Sequence, residues 1–113
     1  MGILIHYGQK KRIHPRVKRE LRVDVKTGTR TIQVYSIDLS AGGIKVAGAK
    51  LCLIPGEQVE LVVEKGVEKF TFQGGVERAD GSLRIKRIGR DGNAFFVRIL
   101  DERLAEFVKT LIL

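Results

Sequence analysis

Apolar and polar residues alternate along much of the chain between residues 21 and 100. Residues 21–25 and 59–63 carry an apolar side chain at every second position, which is the period of a β-strand with one buried face. Segments rich in β-branched and aromatic residues predict further strands, at residues 31–37, 44–47, 67–73, 75–78, 83–88 and 94–100. Several short strands at this spacing predict a small barrel or a sandwich, since closing a sheet removes its unpaired edges.

Turn residues separate these segments. Glycine, proline, aspartate and asparagine are favoured in hairpins and tight loops. They predict turns at residues 26–30, 42–43, 55–56, 65–66, 80–81 and 91–93. The strands are therefore expected to be joined by short connections, as in an antiparallel sheet.

The C-terminal segment changes to a helical period. Its apolar residues recur at spacings of three and four, and they are Leu104, Phe107, Val108, Leu111 and Ile112. Asp101 and Glu102 place negative charge at the N-terminal end, where a helix favours it. Because a helix of this length is marginal alone, we expect it to pack its apolar stripe on the chain's own barrel. A dimer contact or the face of a partner protein is the alternative.

Length and composition favour one globular domain. The 113 residues, 43% hydrophobic and 30% charged, suit a single packed core. No apolar run approaches the roughly 20 residues of a transmembrane helix, and residues 1–8 do not resemble a signal peptide, so a cytoplasmic location is predicted. Cys52 is the single cysteine and is predicted to be a small buried hydrophobe. It forms no typical zinc-binding spacing with the two histidines, so no metal site is predicted.

The positive charge is concentrated near the N-terminus. The chain has a formal net charge of +8, of which residues 1–22 hold +6 and residues 23–113 hold +2. The basic residues of the first segment are Lys10, Lys11, Arg12, Arg16, Lys18, Arg19 and Arg22. Such a cluster attracts phosphate on a nucleic acid, an anionic lipid surface or a small nucleotide. A solvated basic tail is the simpler alternative.

Two arginines in this basic segment flank a proline. Arg12 and Arg16 lie four residues apart, with Pro15 between them. Proline fixes its own backbone and favours an extended residue before it, so the two arginines are expected in an extended segment and not on one helical face. Arginine pairs bidentately with phosphate or with guanine O6 and N7, and it also stacks on a base. This arm therefore suits a ligand that contains both groups.

A second polar string begins 22 residues after Arg16. Asp38, Ser40, Gly42 and Gly43 stand at a predicted turn between two strands. Asp38 is a natural acceptor for the N1–H and N2–H groups of guanine, and Ser40 can add a hydroxyl contact. The glycines permit a turn and a close approach of the backbone to a ligand. The alternative is a turn in which Asp38 and Ser40 bond their own backbone.

The two strings together resemble the signature of PilZ domains, and residues 92–99 look like the last barrel strand of that family. The order and separation of the strings make the pair specific, and the resemblance covers the chain from Lys11 onward. It implies a mainly β fold, a six-stranded antiparallel PilZ-type β-barrel with a C-terminal amphipathic α-helix. Residues 1–113 are then a single domain, divided into a basic N-terminal arm (1–18), a barrel (19–100) and a helix (101–113).

The resemblance also implies a ligand and the residues that bind it. PilZ domains bind the bacterial second messenger cyclic di-GMP, and no cofactor is implied. The residues that match the family's motif are Arg12, Arg16, Asp38, Ser40 and Gly43, with Lys11 and Gly42 as further candidates. In the family, the residue before the first motif arginine is linked to stoichiometry. Lys11 at that position leaves open both one ligand and an intercalated pair.

The predicted function is that of a cyclic di-GMP receptor or adaptor in bacterial signalling. The arm is expected to be mobile alone and to order over the ligand, which changes the surface offered to an unidentified downstream protein partner. A homodimer is left open. An enzyme is not predicted, because the sequence has no phosphate-binding glycine loop, no evident carboxylate pair and no nucleophile with a base beside it.

The main alternative is a small basic barrel that binds RNA or single-stranded DNA. It would use the arm and a second basic cluster, Arg84, Lys86, Arg87 and Arg90. Single-stranded nucleic acids are bound largely by stacking on aromatic side chains. Those available in the predicted strands are expected to lie mostly in the core, and they are Tyr35, Phe70, Phe72, Phe95 and Phe96. This supply of aromatic residues favours the nucleotide receptor. The second cluster is then expected to be a solvated face or an output surface, with direct contact to the ligand as the alternative.

Overall fold

A computed structural model describes residues 16–112. Lys11 and Arg12, and the extended segment predicted around Pro15, lie outside the described residues. The described part contains seven strands and one helix, namely β1 (Val17–Lys18), β2 (Arg22–Thr27), β3 (Arg30–Ser40), β4 (Gly43–Gly48), β5 (Gln58–Lys65), β6 (Glu68–Ile85), β7 (Arg90–Arg98) and α1 (Glu102–Ile112).

Strands β2 to β7 close into an antiparallel ring. Around the ring the order is β3, β2, β5, β6, β7 and β4, and β4 pairs again with β3. The short strand β1 pairs with the end of β3, placing Val17 opposite Leu39 and Lys18 opposite Asp38. The predicted mainly β, antiparallel architecture with a C-terminal helix is confirmed. The strand count is seven and not six, because β1 continues along the same edge of β3 as β2.

The hydrophobic core fills the ring. Alternate residues of β2 and β5 enter it, and Val23, Val25, Leu61 and Val63 are fully buried, as the alternation predicts. Burial of a side chain of this size contributes about 1.5–3 kcal/mol. The ring is therefore held from within by apolar packing, and its outward residues remain available for polar chemistry.

Helix α1 closes one end of this core. Its buried residues Leu104, Phe107, Val108 and Leu111 belong to the same cluster as the barrel interior, which confirms packing on the chain's own barrel. The Phe107 and Phe70 ring centroids lie 4.6 Å apart. Ile112 was expected on this stripe but is 51% exposed. At 3.6 residues per turn it lies about 80° around the axis from Leu104, at the edge of the stripe.

Polar contacts fix both ends of α1. At the N-terminus, the Asp101 carboxylate accepts hydrogen bonds from the Arg103 N–H at 2.9 Å and from its guanidinium at 2.7 Å, in the manner of a helix N-cap. At the C-terminus, Arg19 donates to the Leu111 carbonyl and Lys65 to the Thr110 carbonyl, both at 3.4 Å. Cations favour that end of a helix, so the barrel complements the helix dipole.

The predicted turn at Asp80 and Gly81 is wrong. Both residues lie inside β6. The pairing with β7 shifts by one residue between Ala79 and Ser82, so β6 carries an extra residue there. Gly81 has a φ of +80°, and glycine adopts this backbone conformation without strain. Turn-type residues thus form a bulge in a long strand instead of ending it.

The predicted turn at residues 91–93 is also wrong. These residues belong to β7, and the chain turns earlier, at residues 86–89. Gly89 has a φ of +63°, and its N–H bonds the Ile85 carbonyl at 2.9 Å. The strand predicted at 83–88 therefore ends at Ile85.

Close packing explains why turn-type residues stand in β7. A Cβ atom on Gly92 would lie 2.6 Å from the Ile85 side chain and 2.9 Å from the Gly48 backbone, so only glycine fits there without a shift. The Asn93 amide donates to the Leu51 carbonyl at 3.0 Å. Both residues serve contacts within the barrel, which local turn statistics do not reveal.

The prediction that Cys52 is buried is wrong, because its side chain is exposed. Its neighbours Leu51 and Leu53 are buried. The loop before β5 is extended enough for side chains to alternate, which turns Cys52 outward between the two leucines. The apolar run at this point therefore has one buried and one exposed side.

Candidate ligand-binding site

A bulge in β3 turns Asp38 to the outer face of the sheet, where its side chain remains largely buried. Val34 and Ser36 are fully buried, and strict alternation would turn Asp38 inward as well. The pairing with β4 shifts between Ser36 and Asp38, which reverses the alternation so that Leu39 enters the core. Asp38 then lies opposite Lys45 of β4. Asp38 and Ser40 are thus the last residues of a strand, next to the turn where the sequence placed them.

Strand β1 brings Arg16 to this carboxylate. Lys18 lies opposite Asp38 in the β1–β3 pairing, and Arg16 directly precedes β1. The Arg16 side chain can therefore reach the Asp38 carboxylate. Its Nη2 atom lies 3.5 Å from the Asp38 Oδ2 atom. The structure therefore joins the second motif arginine to the motif carboxylate, whereas Arg12 and Lys11 lie outside the described residues.

Ser36 fixes the connection between β1 and β2. Its buried hydroxyl donates to the Arg19 carbonyl at 2.6 Å and accepts from the Leu21 N–H at 2.9 Å. Both groups lie in the gap between the end of β1 and the start of β2. There the Ser36 hydroxyl takes the place of a backbone hydrogen-bond partner from β3. Sequence reasoning missed Ser36. Its only signal is a polar residue at an inward position of a strand.

The two glycines of the motif have different surroundings. A Cβ atom on Gly43 would lie 2.3 Å from the Val97 carbonyl oxygen and 2.5 Å from the Phe96 ring. Gly43 is therefore required where β4 meets β7. A Cβ on Gly42 would meet nothing within 4 Å among the described residues, so Gly42 leaves the surface beside Ser40 open.

Ser40 bonds its own turn in this structure. Its hydroxyl donates to the Gly43 carbonyl at 3.4 Å, which is long for an O–H donor. This matches the alternative in which such a side chain bonds nearby backbone. Because this hydrogen bond is long, the Ser40 hydroxyl can donate to another acceptor instead of the Gly43 carbonyl.

Asp38 and its neighbours form a row of opposite charges on the outer surface. Lys45 Nζ lies 3.8 Å from Asp38 Oδ2 and 2.9 Å from Asp80 Oδ2. Arg78 Nε lies 4.0 Å from Asp80 Oδ1. The hydrogen bond from Lys45 is the main cause that lowers the pKa of Asp80 from its usual 3.8, although partial burial opposes it. Asp80 is therefore held in its ionised form.

The carboxylate of Asp38 is incompletely satisfied by the described residues. Its side chain is only 12% exposed. The Oδ2 atom has two cationic neighbours, but the buried Oδ1 atom has no hydrogen-bond partner within residues 16–112. Buried polar atoms normally have partners, so this oxygen is a strong candidate for ligand contact.

A cationic cleft opens beside Asp38. Its volume is about 580 Å³. The lining is mostly basic, with two acidic and two apolar residues, and it consists of Lys18, Arg19, Glu20, Ile37, Asp38, Lys45, Leu83, Arg84 and Lys86. The basic side chains come from distant segments that meet only in the folded ring. For that reason no motif or local pattern in the sequence predicted that Lys45 lines this cleft.

The second basic cluster is divided by the fold. Arg84 and Lys86 line the cleft. Arg87 turns away, and its guanidinium lies 5.2 Å from the centre of the Tyr35 ring. The Glu20 carboxylate accepts from the N–H groups of Lys86 and Arg87 at 2.8 Å each. Two residues of this cluster therefore line the cleft, which is consistent with the alternative of direct ligand contact for that part of the cluster.

Comparison with known protein families identifies the class of this domain. The family model described as PilZ domain matches residues 10–107. The chain belongs to the PilZ domain family. No curated protein matches the sequence.

Several solved structures share the fold. The PilZ domain of YcgR from Escherichia coli, solved with c-di-GMP, has a TM-score of 0.69 and 17% identity, over 90% of this chain and 88% of that one. PlzA from Borreliella burgdorferi, solved in complex with c-di-GMP, has a TM-score of 0.63 and 14% identity, over 95% of this chain and 53% of that one.

A third structure is the inhibitor of motility MotI/DgrA from Bacillus subtilis. It has a TM-score of 0.64 and 18% identity, over 89% of this chain and 51% of that one. This chain therefore spans about half the length of MotI/DgrA. At these identities the likeness shows the fold.

Between residues 16 and 112, no helix has the length and apolar character that a bilayer crossing needs. In the same part, no three histidine, cysteine or acidic side chains come together in a group that could hold a metal ion.

Proposed function

We propose that the chain is a receptor for cyclic di-GMP, bound between Asp38 and the cationic cleft. The observation that carries this proposal is the Oδ1 atom of Asp38, which is buried and has no hydrogen-bond partner within residues 16–112. A buried charged oxygen without a donor is costly, and a ligand that supplies N–H donors would relieve that cost. Membership of the PilZ family and the two similar structures solved with c-di-GMP support this choice of ligand.

The chemistry of the cleft matches the two parts of this ligand. A guanine base presents N1–H and N2–H donors on one edge, and the Asp38 carboxylate accepts such a pair. The two phosphates need cations, which Lys18 and Arg84 of the cleft provide. Ser40 lies at the end of β3 beside Gly42, where the backbone is open to a ligand.

The basic arm provides the remaining contacts in this proposal. Arg16 already lies beside Asp38, and Arg12 precedes it by four residues, with Lys11 before it. β1 anchors the end of the arm on β3, so a closing movement over the ligand would begin before Val17. The closed arm would present a changed surface to a downstream protein partner, and the chain itself would act as a receptor or adaptor without catalysis.

Calorimetric titration with cyclic di-GMP tests the proposal. The wild-type chain should bind, and Asp38→Asn should weaken binding by about 10- to 100-fold, because a bidentate contact with a base is worth about 1–3 kcal/mol. Asparagine places an N–H₂ group where guanine also donates, so the loss is specific to that edge. Asp24→Asn on β2, which lies outside the cleft lining, is the matched control and should bind like the wild type.

A second ligand makes the test specific for guanine. Adenine lacks the N1–H and N2–H donors, so cyclic di-AMP should bind far more weakly than cyclic di-GMP. Absence of binding by the wild type, or equal binding by the Asp38→Asn variant, would refute the proposed function.

A further inference from the structure

Lys45 lies between the carboxylates of Asp38 and Asp80 and is closer to Asp80. Its ammonium lies 2.9 Å from Asp80 and 3.8 Å from Asp38. Only the shorter distance is that of a charge-assisted hydrogen bond. The side chains of Lys45 and Asp80 are 20% and 29% exposed, so the pair is partly removed from water and is screened less than a fully exposed one. Asp80 is therefore the main partner of Lys45.

The bulge in β6 makes this partnership possible. β4 and β6 are not neighbours, since β7 lies between them. Gly81, with its positive φ, and the shift in pairing before Ser82 place Asp80 where it can reach across β7 to Lys45. Arg78 lies near the other carboxylate oxygen of Asp80. The residues once expected to form a turn thus position a carboxylate on the surface of the ring.

The position of Lys45 matters for Asp38. The two residues are opposite each other in the β3–β4 pairing, so without another partner the ammonium would approach Asp38 directly. A lysine at hydrogen-bond distance would donate to the same oxygens that a guanine edge needs. Because the nearer carboxylate is Asp80, Lys45 adds positive potential beside Asp38 without forming a short bond to it.

We propose that Asp80 is a positioning residue that holds Lys45 away from Asp38 and so keeps the Asp38 carboxylate open to a guanine base. This inference rests on the proposed function. It assigns a role to a residue outside both motif strings, and Asp80 itself does not contact the ligand. The restraint acts through Lys45, so removal of the lysine removes the need for Asp80.

The test is a double-mutant cycle with Asp80→Asn, Lys45→Met and the double variant, titrated with cyclic di-GMP. Asp80→Asn keeps the shape but removes the charge, and it should weaken binding by about tenfold or more. Lys45→Met removes a cation of the cleft and should itself lose affinity. In that background Asp80→Asn should cause no further loss, so the double variant should bind like Lys45→Met. Asp91→Asn, on β7 and outside the cleft lining, is the matched control. An equal loss from Asp80→Asn in the wild type and in the Lys45→Met background would overturn the proposal.

A crystal structure of the Asp80→Asn variant separates this inference from the proposed function. The Lys45 ammonium should lie about 2.8 Å from an Asp38 oxygen in that variant, whether or not cyclic di-GMP is the ligand. If the ammonium keeps its distance from Asp38, the positioning role is refuted. If it moves but the wild type binds no cyclic di-GMP, the positioning role stands and the proposed ligand is refuted.

Discussion

The guanidinium of Arg16 lies 3.5 Å from the carboxylate of Asp38, although 22 residues separate them in the chain. The pairing of Lys18 with Asp38 brings them together. This distance exceeds the 2.7–2.9 Å usual for a charge-assisted hydrogen bond, and the Arg16 side chain is 46% exposed. A loose and partly exposed pair contributes little to stability. Arg16 can therefore leave Asp38 for a ligand at small cost.

Arg16→Ala should weaken binding of cyclic di-GMP by about 10- to 100-fold, with little effect on folding. The guanidinium that guanine displaces from Asp38 remains beside the ligand, where it can bind a phosphate or stack on a base. Arg12→Ala should have an effect of the same order. Isothermal titration calorimetry measures the affinity, and Arg22→Ala on β2 is a matched control because that side chain is exposed outside the cleft. Unchanged affinity in both motif variants would contradict this role of the arm.

Ser36→Ala should lower the free energy of unfolding by about 1–3 kcal/mol. The substitution leaves the Leu21 N–H and the Arg19 carbonyl without the hydroxyl that bonds both of them. Urea unfolding measures the change, and Ser82→Ala, at an exposed position in β6, should stay within about 0.5 kcal/mol of the wild type. Equal stability of the two variants would show that water replaces the Ser36 hydroxyl.

Gly43→Ala should destabilise the barrel by about 1–3 kcal/mol, whereas Gly42→Ala should not. The new methyl group at Gly43 would overlap the Val97 carbonyl and the Phe96 ring, while the one at Gly42 would meet nothing within 4 Å in residues 16–112. Thermal and urea unfolding of the two variants give the comparison. If Gly43→Ala is as stable as Gly42→Ala, β7 must be able to move away from β4 without loss of packing.

The fold was predictable where a local pattern controls it. The alternation in β2 and β5 and the helical stripe of α1 directly reflect which side chains enter the core. The errors arise where a non-local contact overrides a local preference. Gly92 is a residue type common in turns, but here it lies in a strand, because the Gly48 backbone leaves no room for a side chain.

The site was predictable in part for the same reason. Asp38 and Arg16 were predicted as ligand-binding residues from a family resemblance, and the structure brings these two side chains together. Lys45 and Asp80 could not be recognised, because their relation to Asp38 depends on bulges in β3 and β6. A bulge changes the face of the strand on which the following residues lie. The position of the bulge depends on the register with strands that are distant in the sequence.

Stability should fall in acid as three carboxyl groups become protonated. Bonds from the Thr27 hydroxyl and the Ile54 N–H lower the pKa of Glu57 from its usual 4.5. Bonds from Lys45 and from Arg103 lower the pKa values of Asp80 and Asp101 from 3.8. Because these folded-state values lie below the unfolded ones, their stabilisation is complete above about pH 4.5 and is lost as the pH falls through the folded values.

Urea unfolding at about pH 6 and at about pH 3 measures this loss. Glu57→Gln cannot be protonated in this range, so the difference in unfolding free energy between the two pH values should be smaller in that variant. Glu68→Gln at the start of β6, an exposed position, is the control and should keep the wild-type difference. An equal pH dependence in wild type and Glu57→Gln would show that the contact with Thr27 does not favour the ionised carboxylate.

Binding of RNA or single-stranded DNA should be weak and purely electrostatic. Three aromatic rings of the described residues are half-buried, namely Tyr35, Phe70 and Phe96. Arg87 lies 5.2 Å from the Tyr35 ring and Arg78 lies 4.7 Å from the Phe96 ring, while Phe70 packs against Phe107. Stacking on aromatic side chains, which supplies about 1–3 kcal/mol per base, is thus restricted in the described part of the chain. Positive charge alone gives affinity that falls steeply with salt.

A gel-shift assay over a salt series, beside calorimetry with cyclic di-GMP, distinguishes the two ligand classes. Arg90→Ala should reduce the salt slope for nucleic acid by about one and leave the affinity for cyclic di-GMP unchanged, because Arg90 does not line the cleft. Tyr35→Ala should leave nucleic-acid binding unchanged if no base stacks on that ring. Tight binding of a single strand that persists at high salt and is lost in Tyr35→Ala would instead favour the nucleic-acid function, since it would require Arg87 to give way to a base.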